Sequence, residues 1–114
     1  MIPFKNRFHG HSSLKYVYKN GKSARCHIVT IKYIINPHRK ESRIAVIVGR
    51  KIIKSAVRRN LIRRRLYECV RVKIPDLQTV YDIAIIVTSS DLLNLNHQEL
   101  SDQINQLFGQ SRLI

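Results

Sequence analysis

With 114 residues and 44% hydrophobic side chains, the chain suits one domain with one core and is too apolar for disorder. Its 21 Lys and Arg against seven Asp and Glu leave a net charge of +14, which points to a polyanionic partner, a nucleic acid or an anionic membrane surface. No run approaches the roughly 18–20 apolar residues of a membrane span, and the opening MIPFKNRFHGH lacks the continuous apolar core of a signal peptide. A cytoplasmic location is therefore expected. The charge is uneven. Residues 1–73 hold 20 basic and two acidic side chains, a balance of +18, whereas residues 74–114 set Arg112 against five acids, a balance of −4.

Residues 1–11 read as a basic, extended arm of a single domain spanning 1–114. Ser12 or Ser13 is expected to cap a short helix that Gly21 ends in the left-handed conformation. Leu14, Val17 and Tyr18 share one face of it at i, i+3, i+4. Residues 25–35 (RCHIVTIKYII) are β-branched and aromatic, which predicts one strand; neither of its faces is cleanly polar, so both meet something. Asn36-Pro37 starts a turn. Residues 43–49 predict a second strand, its apolar run Ile44–Val48 implying burial on both faces. A long basic helix follows over 54–72, then a strand over 80–88. Asn96 caps a last helix, with Glu99 completing a capping box. Leu100, Ile104, Leu107 and Phe108 form its apolar stripe and Gly109 ends it. The order α-β-β-α-β-α implies an α/β fold, an α-β sandwich with helices packed on one sheet.

The basic helix is the strongest signal. From Gly49 to Lys73 there are ten Lys or Arg and one acid, Glu68. On a helical wheel Ile62, Leu66, Cys69 and Val70 form a stripe that can bury against the sheet. Arg59, Arg63, Tyr67 and Arg71 run along the neighbouring row, with Asn60 and Arg64 beside them. Arg58 and Arg65 lie on the opposite flank. A charge run ordinarily just faces water, but here few acids stand at i±4 to relieve repulsion. A membrane-surface helix would need bulky apolar residues on its free face, and this one spends them on a single stripe. A phosphate backbone fits better: each neutralised phosphate releases counterions, and the guanidinium fork matches phosphate geometry.

The run Lys51…Ala56-Val57-x-Arg59-Asn60-x-x-Arg63-Arg64…Glu68 resembles the signature of the bacterial ribonuclease P protein subunit. The likeness extends over essentially the whole chain: a basic and apolar pair, Arg7-Phe8; a short helix, Leu14–Gly21; a strand pair before the basic helix; then a strand and a final helix. This chain departs in having Leu61 where the family usually has a second Arg after Asn, Tyr67 where an Arg commonly precedes the closing Glu, and Leu14 and Tyr18 where the first helix usually offers two Phe. The resemblance implies a mainly antiparallel sheet with a left-handed β-α-β crossover, an exception to the right-handed rule. It also implies a protein cofactor of a ribozyme, one copy per RNA subunit. The RNA performs the hydrolysis at the 5′ end of mature tRNA with Mg²⁺, and the protein binds that RNA and grips the 5′ leader of precursor tRNA.

The residues expected to bind RNA are Lys51, Lys54, Arg58, Arg59, Asn60, Arg63 and Arg64. Those expected to face the leader are Arg7, Tyr18, Val29, Ile31 and Tyr67. Tyr18 and Tyr33 carry rings that could stack on unpaired bases, or serve as core aromatics with a wet hydroxyl. No catalytic constellation and no metal site are expected. The seven acids are scattered, and His9-x-His11 offers two imidazoles where zinc sites need three or four ligands. Cys26 and Cys69 read as reduced core fillers. Two rivals share the charge and size. One is a ribosomal or other structural RNA-binding protein. The other is a self-sufficient nuclease, which would need an acid or His cluster beside the basic helix.

Overall fold

The computed structural model describes residues 6–8 and 11–114. Helix α1 spans His11–Asn20, and strands β1 (Lys22–Arg25), β2 (Val29–Ile35) and β3 (Arg43–Ile47) follow it. Helix α2 (Ala56–Arg71), strand β4 (Tyr81–Val87) and helix α3 (His97–Gln110) complete the chain. Short 3-10 turns at Ile74–Asp76 and Ser90–Asn94 flank β4. The sheet order is β1-β2-β4-β3. β1 pairs antiparallel with β2, and β2 with β4, whereas β3 and β4 are parallel neighbours joined through α2. The fold is thus the expected α/β domain on a mainly antiparallel sheet, with one more strand than expected.

That extra strand corrects the single strand predicted over 25–35. The chain instead makes a hairpin, turning at residues 26–28, where the Cys26 N–H donates to the Val29 carbonyl at 3.0 Å. Register then sorts the side chains. Val29, Ile31 and Tyr33 lie opposite Val87, Ile85 and Ile83, and Ile44 and Val46 opposite Ile83 and Ile85. These residues share one sheet face and join Ile62, Leu66, Cys69 and Val70 of α2 and Leu100, Ile104, Leu107 and Phe108 of α3 in one core. All of them but Tyr33 and Val46, which are half-buried, are buried, a gain of about 1.5–3 kcal/mol for each large side chain. The other face, carrying Thr30, Lys32, Ala84 and Arg43, meets α1, whose Val17 is fully buried. At that face's end Arg43 and Asp82 form a buried bidentate pair at 2.6 and 2.9 Å. Arg43 also stacks on Phe8, 4.8 Å from the ring centroid. Together with the Asn6 side chain donating to the Ser42 carbonyl, this ties residues 6–8 to the sheet.

Helix ends differ from expectation in three places. α1 already begins at His11, so Ser12 and Ser13 lie in its first turn rather than capping it. Gly21 does end α1, its N–H donating to the Val17 carbonyl, but not in the left-handed conformation. Glycine is needed there because a Cβ would sit 2.6 Å from the Val17 oxygen and 2.9 Å from the Tyr33 oxygen. Gly109 lies within α3 rather than ending it. The stop is Arg112, at φ 60°. Its N–H donates to the Gly109 carbonyl and that of Leu113 to the Phe108 carbonyl, the pair of bonds of a Schellman motif. The Asn96–Glu99 capping box forms as expected.

Candidate nucleic-acid interface

α2 starts where a polar cap follows a tight turn. The Ile53 N–H donates to the Gly49 carbonyl at 3.1 Å, and the Ser55 hydroxyl accepts from the Arg58 N–H. No acid sits in the first turn, so Arg58 and Arg59 face the positive end of the helix dipole with nothing to offset it. Part of the positive charge is spent internally. Arg59 donates to the carbonyls of Ile53 and Lys54, at 3.0 and 2.8 Å, and so braces the turn before the helix. Arg65 donates to the carbonyls of Leu92 and Leu95 and fastens α2 to the segment before α3. Arg71 pairs with Glu68 at 3.0 Å, which lowers the pKa of the Glu68 carboxyl. Arg63 donates to the Asn60 side-chain oxygen at 2.6 Å.

The rest of the charge is uncommitted. The exposed side chains of Lys51, Lys54, Arg58 and Arg64 have no hydrogen-bond or ion-pair partner among the described residues. Arg63 and Arg64, with Asn60, thus present a cationic face on α2, with Arg58 on the opposite flank of the helix and Arg59 at its start.

Beside this surface runs a groove of about 620 Å³. Its floor is Val46 of the edge strand β3 with Val57 and Tyr67 of α2; its rim is Arg7, Asn60, Arg63 and Arg64. Tyr67 is only 2% exposed. The helical wheel puts it in the arginine row, but β3 ends the sheet and leaves a space on that side of α2 that the ring fills. Burial is also the main reason its hydroxyl pKa is raised.

The expected leader-side residues separate. Arg7 and Tyr67 meet at the groove. Tyr18 is half-buried on the other sheet face, with the Lys32 ammonium 6.0 Å from its ring centroid, and desolvation raises its hydroxyl pKa. Val29 and Ile31 correct the expectation: both are fully buried in the core shared with α2 and α3, and neither reaches a ligand. The face of β2 turned toward Tyr18 is that of Thr30 and Lys32. Alternation could have shown this, since one face of the strand had to take the polar pair. Tyr33 likewise packs edge-on against Tyr81, centroids 6.2 Å apart. Nothing in the sequence pattern brings Val46 and Val57 together in a groove; Val57 stands off the apolar stripe and is 78% exposed. Of the pair His9-x-His11, His9 and the side chain of His11 lie outside the described residues. Among the described residues no three His, Cys, Asp or Glu converge, and no helix is long and apolar enough to cross a membrane. Both cysteines are free, and burial raises the Cys69 thiol pKa.

The profile of the family described as Ribonuclease P matches residues 2–112. The chain belongs to the ribonuclease P protein family. Among its relatives, the ribonuclease P protein component of a Synechococcus species is 27% identical, the match covering 100% of this chain and 87% of the relative. That of a Pseudanabaena species is 26% identical, covering 100% and 97%. The RNase P protein of Staphylococcus aureus superposes with a TM-score of 0.84 at 18% identity, covering 95% of this chain and 96% of that one. For the RNase P protein of Thermotoga maritima the values are 0.76, 23%, 89% and 94%. Those two likenesses show that the ribonuclease P protein fold is shared.

Proposed function

We propose that this member of the family is the non-catalytic protein subunit of the ribonuclease P ribonucleoprotein, acting in the cytoplasm with one copy per RNA subunit. It docks on the RNA through α2 and steadies the 5′ leader of precursor tRNA, while the RNA cuts the leader off. The observation that carries this reading is the set of uncommitted cations on α2 and the turn before it. Lys51, Lys54, Arg58 and Arg64 are free to meet phosphates, as are the remaining donors of Arg63, and an anion near the start of α2 would also offset the unopposed helix dipole. Tyr18 and Lys32 supply a ring and an ammonium on the opposite sheet face, a pairing suited to one unpaired base and its phosphate.

Mg²⁺ belongs in this reading to the RNA. The described residues bring no carboxylates together to cage it, and its place would be among phosphates. The same scatter of acids argues against a self-sufficient nuclease. A ribosomal role finds no support beside a family match that spans nearly the whole chain.

The test is precursor-tRNA cleavage at low Mg²⁺ by the protein freed of RNA, by the RNA subunit alone, and by both together. Only the mixture should cleave efficiently. Cleavage by the RNA-free protein would sink the cofactor reading, and an RNA subunit indifferent to the protein would sink the docking reading.

A further inference from the structure

The groove beside α2 is not explained by phosphate contacts alone. A face that only neutralises a backbone needs charge, not a hollow. This one has an apolar floor of Val46, Val57 and Tyr67. Its volume, about 620 Å³, lies within the roughly 300–1,000 Å³ of small-molecule sites. Val57 is 78% exposed, an apolar side chain left in water at the mouth of a cationic helix. The Tyr67 ring is nearly buried, while its hydroxyl, which has no hydrogen-bond partner among the described residues, is not itself buried and opens on the groove. A hydroxyl open to the groove is free to meet a ligand there. Asn60 accepts from Arg63 through its oxygen, which leaves its amide hydrogens for a further acceptor.

We infer that this groove seats one unpaired base of the RNA on which α2 docks. The base lies on Val46, Val57 and Tyr67, its edge meets the Tyr67 hydroxyl and the Asn60 amide, and its flanking phosphates meet Arg63 and Arg64. The charge of the rim selects the occupant: an apolar peptide would leave these guanidiniums unpaired, whereas a nucleotide satisfies floor and rim together. A base inside a duplex has both faces covered by its neighbours, so the groove recognises a splayed-out nucleotide. The inference rests on the reading of α2 as the RNA-docking face and adds to it a preference for unpaired over paired RNA.

The experiment measures binding of a fluorescein-labelled single-stranded RNA oligonucleotide, and of the same strand annealed to its complement, across a salt series. The proteins are the wild type, Val57→Ser, Tyr67→Phe and the double variant Arg63→Ala/Arg64→Ala. Val57→Ser removes apolar floor from an exposed position without touching charge. It should lose about fivefold or more in affinity for the single strand, little for the duplex, and keep the wild-type salt slope. Tyr67→Phe keeps the ring and should lose about two- to tenfold for the single strand, the worth of one hydrogen bond. The double arginine variant should bind both RNAs more weakly and flatten the log–log salt slope by about 0.7–0.9 for each phosphate it no longer neutralises. If Val57→Ser and Tyr67→Phe bind both RNAs as the wild type does while the arginine variant fails, the groove takes no base and only the docking face stands. If the arginine variant also binds like the wild type, the docking reading falls and this inference with it.

Discussion

Arg112 holds a backbone conformation that suits a residue without a Cβ. Its φ of 60° is imposed by the stop of α3, where Leu113 turns back to donate to the Phe108 carbonyl and is fully buried. An L-residue there carries a cost of about 1–2 kcal/mol that glycine avoids. Glycine also has more freedom to lose on folding, by roughly 0.5–1 kcal/mol. Arg112→Gly should therefore stabilise the protein modestly, by about 0.5–1 kcal/mol. Urea unfolding would check this as a raised midpoint at unchanged slope; a lowered midpoint would mean the arginine side chain contributes more than its backbone costs. The same residue shows why sequence places the helix end too early. Gly109 is the residue type that ends helices, yet the apolar requirement comes from Leu113, and the buried residue sets the stop.

At the scale of elements, what could be read from the chain was what neighbours decide. The Asn96–Glu99 box is made within four residues, and the stripe Ile62, Leu66, Cys69 and Val70 needs only helical spacing. The hairpin was hidden because residues 26–28, Cys-His-Ile, hold none of the Gly, Asn, Asp or Pro that usually mark a turn. The faces of β2 were legible only within Val29–Ile35, where Thr30 and Lys32 mark the polar one; a strand read over 25–35 adds Arg25 and His27 to the face of Val29 and Ile31 and blurs the contrast. Of the candidate site, the cations of α2 were legible from composition. The groove was not, because Val46 reaches it from a strand that pairs through residues some 40 positions later. Tyr18 belongs to this scale too, since α1 carries it against β2. Half-buried rather than core, Tyr18→Ala should leave the fold and the affinity for the RNA subunit intact. It should cost about 1–3 kcal/mol in binding precursor tRNA with a leader of several nucleotides, and nothing for mature tRNA. Equal losses for both ligands, or a large fall in melting temperature, would make Tyr18 a structural residue.

Across the whole molecule the positive charge comes early and the closing strand comes late. The balance of +18 lies in residues 1–73, whereas β4, at Tyr81–Val87, is the strand that touches both β2 and β3. Without β4, β3 has no neighbour in the sheet and the hairpin β1–β2 stands alone, and a lone two-stranded hairpin is marginal in water. A chain stopped at residue 78 should accordingly show no cooperative thermal transition by circular dichroism, although it keeps α1, α2 and three of the four strands' sequence. A sharp transition in that fragment would mean that α2 and β3 pack without their central partner. During synthesis the consequence is one of timing. Chains emerge at about 5–20 residues per second, so the strongly cationic portion leaves the ribosome seconds before the strand that closes its sheet can join it. Through that interval its arginines are carried on an open chain beside the ribosome's own RNA. The basic helix therefore has to be kept from the wrong RNA before it has a folded surface with which to choose the right one.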